Sequence, residues 1–195
     1  MIGTESIIIA CWVVLAVFWV ANALWTKKAK HRQSRAKRLW YMAAMVLSFG
    51  LLLNETPGQG LKIPLPQLFI SVLPKSAAID VIAVTLTILG LLLALWSRAV
   101  LGRNWSGAVD VKVGHELVTS GPYSLIRHPI YTAWLSMYLG TAIAIGALGG
   151  FLGFIVLLMA NLIKIGQEEA LMAKHFPDVY PGYLKCTKAL IPFLF

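Results

Sequence analysis

A chain of 195 residues that is 58% hydrophobic and only 13% charged has too little polar surface to cover itself as a soluble domain. Two cysteines, Cys11 inside an apolar run and Cys186 near the end, make neither a disulfide framework nor a metal-ligand spacing, so redox chemistry and a bound metal are not expected. The formal net charge of +9 fits either a nucleic acid or a membrane surface, and its placement along the chain decides between them.

The first apolar run, residues 7–25, has about the 20 residues that a bilayer-spanning helix needs. Positive charge follows it, in Lys27, Lys28, Lys30, Arg32, Arg35, Lys37 and Arg38. A cleavable secretory signal has the opposite layout, and no small-residue cleavage site precedes the basic run, so a retained helix is expected. The positive-inside rule then puts the basic run in the cytoplasm and the N-terminus outside. A basic cluster against a spanning helix reads as a topology signal or a contact with anionic membrane lipids, not as a nucleic-acid site.

Residues 39–53 form a second apolar run, roughly 22 Å long as a helix, which must borrow length from its flanks or thin the membrane. Pro57, Pro64, Pro66 and Pro74 with Gly58 and Gly60 then exclude a regular helix through 54–75 and predict an outer connector. A third span is expected over 76–96, and Arg98, Arg103 and Lys112 after it agree with the same orientation. Runs 130–145 and 148–165, separated by a turn at Gly146, Gly149 and Gly150, read as a tight helical hairpin. Gly149 and Gly153 have the spacing that lets helices approach closely. The expectation is an all-α polytopic membrane bundle of about five transmembrane helices, one integral membrane domain over 1–195 with three of the helices in 1–100.

That topology brings two polar segments to one membrane face. The first, GHELVTSGPYSLIRHPIY at 114–131, has turn-forming Gly114 and Gly121-Pro122, and Pro129 at a first helical position. His128, before proline, is pushed towards an extended backbone, which places Arg127 and His128 at the mouth of a helix. The second is the tail, GQEEALMAKHFPDVYPGYLKCTKALIPFLF, where Glu168 and Glu169 follow the fifth span. Adjacent helical residues point about 100° apart, so one glutamate is expected to face a central pocket. Lys164 and Glu168 also fit a plain i,i+4 surface pair, in the weaker orientation.

LGRNWS at 101–106, GHELVTSGPYSLIRHPIY at 114–131 and QEEALMAKHFPDVYPGY at 167–183 together resemble the isoprenylcysteine carboxyl methyltransferase and phospholipid methyltransferase superfamily of integral membrane methyltransferases. Order and spacing match: GH-x-LV, GPY, RHP-x-Y, a helical hairpin, paired glutamates, then F-x3-Y-x2-Y. The resemblance implies that 101–195 is the catalytic half, with a cytoplasm-facing pocket for S-adenosyl-L-methionine between the loop before the fourth span and the tail. It places His115, Leu117, Val118, Gly121, Tyr123, His128, Pro129, Tyr131, Glu168, Tyr180 and Tyr183 on the cofactor site, and makes Glu168, Glu169, Lys164 and Arg127 the candidate catalytic residues. Family members often carry arginine where this chain has Lys164, and lysine lacks the bidentate fork that suits a carboxylate.

The chemistry of the cofactor agrees with these residue types. Its ribose diol or ammonium needs an acid, its carboxylate a cation and its adenine flat walls, which Glu168, Arg127 or His115, and Tyr180 with Tyr183 can supply. Methyl transfer requires in-line approach and exclusion of water. The acceptor expected is a lipid-like or prenylated small molecule reaching the pocket from the bilayer. A carboxylate acceptor is already ionised, whereas a phospholipid amine must first lose a proton to a base such as Glu169 or His115. Membrane sterol and steroid reductases carry a similar R-[HN]-P-x-Y stretch, making an NADPH-dependent reductase the enzyme alternative, and a non-catalytic scaffold the third class.

Overall fold

The computed structural model describes residues 3–23, 29–31, 34–53, 70–105, 111–112 and 116–194, with the backbone alone for 23, 29–31 and 111–112. Its helices are α1 (Thr4–Ala23), α2 (Arg35–Leu53), α3 (Ala77–Leu101), α4 (Pro129–Ile145), α5 (Leu148–His175) and α6 (Tyr180–Cys186), joined by two short strands, β1 (Ala29–His31) and β2 (Val111–Lys112). Among the described residues, four stretches are long and apolar enough to cross a membrane, namely Thr4–Asn22, Arg35–Leu53, Ala77–Asn104 and Leu148–His175, while α4 is a shorter apolar helix. The chain is a multi-pass helical membrane protein. Val17, Val20, Val46, Val81 and Leu89 point outwards, an arrangement that lipid tails favour and water would not.

Helix boundaries follow local capping. The second span starts at Arg35, four residues before the apolar run, because the Ser34 hydroxyl accepts a hydrogen bond from the Lys37 amide at 3.4 Å. Borrowing this basic flank brings α2 to about 28 Å, close to the hydrocarbon thickness. Ser76 caps α3 in the same way, accepting from the Ile79 amide at 3.3 Å. That helix runs past the expected end at Trp96 to Leu101 and stops at Gly102, whose φ is +53°. Arg98 is therefore not a loop charge marking topology. It is buried inside α3, where its guanidinium donates to the carbonyls of Gly102 (2.6 Å) and Asn22 (2.8 Å) and lies 4.8 Å above the Trp105 ring.

Packing runs α1 on α3, α3 on α4, α4 on α5 and α5 on α2. Cys11 and Leu15 of α1 meet Leu91 and Ala94 of α3 and Ala133 and Met137 of α4. Leu52, Leu135, Tyr138, Ala142, Leu157 and Ile165 form a second core that also holds Ala189 and Leu190 of the tail. The closest backbone approach is between α3 and α4, not within the α4–α5 hairpin. A Cβ on Gly90 would lie 2.8 Å from the Ala133 carbonyl, and one on Gly140 would lie 2.6 Å from that of Ala83. In α5, Gly153 abuts α2: the Ser48 hydroxyl donates to its carbonyl at 2.9 Å, and Tyr138 Oη donates to the Ser48 carbonyl at 2.6 Å.

The connections sort onto two sides. β1, after α1, pairs antiparallel with β2, after α3. On the opposite side Ser71 bridges Ala147, and Lys75 Nζ donates to the Ala144 carbonyl at 2.6 Å, so the connector before α3 meets the α4–α5 turn. Residues 54–69 of the expected connector lie outside the described residues.

Reporter fusions at Lys30 and after the C-terminus should read the same side of the membrane, and a fusion in the Gly146–Ala147 turn the opposite side. Gly153→Ala, whose Cβ would meet the Tyr138 hydroxyl and lie 2.7 Å from the Ser48 carbonyl, should cost about 1–3 kcal/mol in thermal unfolding. Gly166→Ala, with nothing within 4 Å, should be neutral or slightly stabilising in the same assay.

Candidate active site

The segment before α4 is shaped by glycine and proline and then zipped to the tail. Gly121 has φ +58° under Val100 and Trp96 and opens a 3₁₀ turn, Gly121–Ser124, that buries Pro122 and Tyr123. Ile126 pairs in parallel with Lys188. The Arg127 amide donates to the Lys188 carbonyl at 2.8 Å, the His128 amide to Ala189 at 3.0 Å, and Thr132 Oγ1 to Leu190 at 2.7 Å. Arg127 Nη1 also donates to the Thr187 carbonyl. Pro129 then opens α4 with His128 as its cap, so the two cationic side chains stand at the helix mouth, facing α5.

Both adjacent glutamates of α5 are used, because His128 stands between them. Its Nδ1 lies 3.5 Å from Glu168 Oε2 and its Nε2 lies 3.2 Å from Glu169 Oε1. Arg127 Nε donates to that same Glu169 oxygen at 2.7 Å, and Tyr131 Oη donates to Glu168 Oε1 at 2.6 Å. The Tyr131 ring stacks on His128 at 5.6 Å between centroids and 16° between planes. A neutral imidazole offers one N–H, whereas here each ring nitrogen faces a carboxylate oxygen, an arrangement that suits the imidazolium. Burial alone pulls the His128 pKa down, but its hydrogen bonds to Glu168 and Glu169 outweigh that and hold it above the ordinary histidine value. Burial likewise raises the tyrosines that close the site, Tyr123 and Tyr180 well above their ordinary value and Tyr183 to about 12, so all three remain hydroxyl donors at neutral pH.

Above this clamp is a cavity of about 300 Å³, at the small end of the range for ligand sites. Of the residues singled out in the sequence, Leu117, Val118, Tyr123, Arg127, His128, Tyr131, Lys164, Glu168, Tyr180 and Tyr183 line it. Gly121, Pro129 and Glu169 do not: the first two shape the turn and the helix start, and Glu169 holds Arg127 and His128 from behind. His115 lies outside the described residues. Tyr183 of α6 reaches across to donate to the Tyr123 carbonyl at 2.6 Å, so the tail forms one wall. Lys164 is buried, with Nζ 4.1 Å from the Tyr41 ring centroid and 5.5 Å from that of Tyr131, not a solvated surface pair.

Several wall residues were not singled out from the sequence: Trp19 of α1, Tyr41 and Met45 of α2, Asn104, Trp105 and Glu116 of the segment after α3, Ile130 and Trp134 of α4, and Asn161 of α5. Tyr41 Oη donates to Asn161 Oδ1 at 2.8 Å. Asn161 was within reach of pattern reading: Leu157, Asn161, Lys164 and Glu168 follow one helical stripe, polar in an otherwise apolar span.

A family model described as phospholipid methyltransferase matches residues 79–179, just over half of the chain, and includes all of α4 and α5 with the clamp between them. The chain belongs to the phospholipid methyltransferase family. It is similar to a protein-S-isoprenylcysteine O-methyltransferase of Schizosaccharomyces pombe, 31% identical over 102 residues covering 48% of this chain and 41% of that protein. It is also similar to the cobalt-zinc-cadmium resistance protein CzcN of Cupriavidus metallidurans, 34% identical over 99 residues, 49% of this chain and 45% of that protein. Protein-S-isoprenylcysteine O-methyltransferase B of Arabidopsis thaliana is 26% identical over 113 residues, 56% of this chain and 57% of the relative. The chain thus spans about half the length of the curated relatives it matches.

Within this phospholipid methyltransferase family member, the clamp has a pH signature. A histidine whose pKa is raised by folding adds stability that is fully present below its unfolded value, about 6.5, and lost as pH rises through the higher folded value. The melting temperature of the purified protein should therefore fall from about neutral pH upwards, and His128→Gln should remove that slope. Parallel slopes in the two proteins would show that the clamp does not carry it.

Proposed function

We propose that this membrane methyltransferase uses S-adenosyl-L-methionine to methylate an amphiphilic, lipid-like acceptor, at a site on the cytoplasmic side of a bundle in which α4 also crosses, making five spans in one domain. One observation carries this reading: a charged clamp and a hydrophobic cavity are continuous, with Glu168, Arg127 and His128 at one end and Met45, Trp134 and Leu157 at the other. The donor set fits the cofactor. Glu168 presents an acid for an ammonium or a ribose diol, Arg127 and Lys164 present cations for a carboxylate, and the tyrosines and Trp105 present flat faces for a base. When bound, the cofactor supplies an electrophilic methyl group on a sulfonium.

The chain's own residues then bind, orient and exclude water. Arg127 and His128 hold Glu168 and Glu169 in fixed positions, and the Tyr183–Tyr123 bond draws the tail over the cavity. Glu169 is already engaged by Arg127 and His128 outside the wall, which supports a positioning role for it. Glu168, on the wall, is the carboxylate available to touch ligand and, for an amine acceptor, to take its proton. Membership of the family and the isoprenylcysteine methyltransferase relatives favour methyl transfer over a reductase. The charge that follows α1 supports the cytoplasmic placement.

Calorimetry on the purified protein should show binding of S-adenosyl-L-methionine and not of NADPH. Glu168→Gln and His128→Ala should each weaken it about ten- to hundred-fold, the worth of one charge-assisted hydrogen bond. With labelled cofactor, transfer to a prenylcysteine analogue or to an aminophospholipid should exceed transfer to the same head without its tail. Unchanged affinity in both variants would overturn the site, and equal turnover of the tail-less compounds would overturn the amphiphilic acceptor.

A further inference from the structure

α1 packs on α3 and α2 packs on α5, so the first two helices reach the cavity from opposite flanks. Trp19 from α1 and Met45 from α2 stand on its wall. One turn beyond Met45, and away from the charged clamp, the space between the two helices is bridged by Trp12 and Phe49, edge to face at 5.6 Å and 83°. Neither lines the cavity, yet each packs on a residue fixed in the bundle core or cavity wall. Trp12 lies 6.0 Å edge-on from Trp134, and its Nε1 donates to Thr141 Oγ1 at 3.0 Å. Phe49 meets the fully buried Tyr138 at 5.3 Å. The pair is held from both sides, behind the hydrophobic wall that Met45 and Trp134 give the cavity.

We propose that Trp12 and Phe49 are the end stop for the acceptor's hydrocarbon chain, and so set the longest chain that fits. This rests on the reading of the cavity as a methyltransferase site with an amphiphilic acceptor. From Glu168 to Leu157 the cavity follows α5 for roughly 16 Å, and from Lys164 to Leu157 for roughly 10 Å. A polar group at the Leu157 end would be buried without partners, whereas a chain of methylene or prenyl units gains from every carbon it places there. Met45 is unbranched and can adapt to such a chain, while the bonded indole of Trp12 and the ring of Phe49, set between Trp12 and Tyr138, cannot.

The test is the affinity of the full-length purified protein for N-acetyl-S-alkylcysteines lengthened one methylene at a time. Each added methylene should strengthen binding about fourfold until the chain meets the pair, after which the gain should stop. Phe49→Ala should move that break to longer chains and Phe49→Trp to shorter ones. Phe49→Leu replaces the alanine variant if the latter does not fold. A break at the same length in every variant, or a series without a break as in partition into detergent, would overturn the end stop. Calorimetry with S-adenosyl-L-methionine on the same preparations separates the two ideas: no cofactor binding alongside a moving break would sink the proposed function and leave the end stop standing.

Discussion

The imidazole of His128 between the carboxylates of Glu168 and Glu169 is the interaction on which the site depends. Largely buried charges persist only when paired and hydrogen-bonded, and here each charge has more than one partner. His128 faces both acids, Arg127 shares an oxygen of Glu169 with it, and Tyr131 completes Glu168. Through these contacts the start of α4 is tied to the last turns of α5. The tail adds its backbone to the same place by receiving the amides of Arg127 and His128. Removing any one charge would take from its neighbours one of their partners in a largely buried place, so the group acts as a unit.

The rest of the bundle makes that unit rigid. Gly90 and Gly140 let α3 and α4 approach until each backbone meets the other, and Gly153 does the same for α5 and α2. Arg98 performs a comparable task at the other flank. It accepts the cost of burial in exchange for the terminal carbonyls of two helices, Asn22 of α1 and Gly102 after α3, and it supports Trp105 from behind. Trp105 in turn meets Trp19 edge to face at 5.8 Å, so this buried arginine helps to place the aromatic wall.

The wall of the cavity draws on different parts of the chain. The family match, 79–179, holds the clamp, Lys164 and Asn161, while Trp19, Tyr41 and Met45 come from α1 and α2, before it begins. The charged groups therefore belong to the portion shared with the family, together with most of the hydrophobic wall, and α1 and α2 add Trp19, Tyr41 and Met45 from outside that match.

By itself the amino-acid sequence determined the solvent and several helix ends. Apolar runs of bilayer length require spanning helices because an unpaired backbone cannot remain in hydrocarbon. Gly121-Pro122 and His128-Pro129 impose turns and a helix start through φ alone. The spacing of RHP-x-Y and the paired glutamates carried the family. Local pattern also led astray where geometry is collective. Two adjacent glutamates point about 100° apart, and one, Glu168, does face the cavity while Glu169 does not, but that spacing gives no sign of the histidine from before another helix that sits in the angle between them and engages both. Arg98 looked like a loop charge because α3 runs on past the apolar stretch, and Gly149 with Gly153 looked like the hairpin contact because spacing does not name the partner helix. Tyr41, Trp12 and Phe49 carry no local mark at all. Their place is decided by which helices become neighbours, and that follows from the packing of the whole bundle, a property that no window of sequence contains.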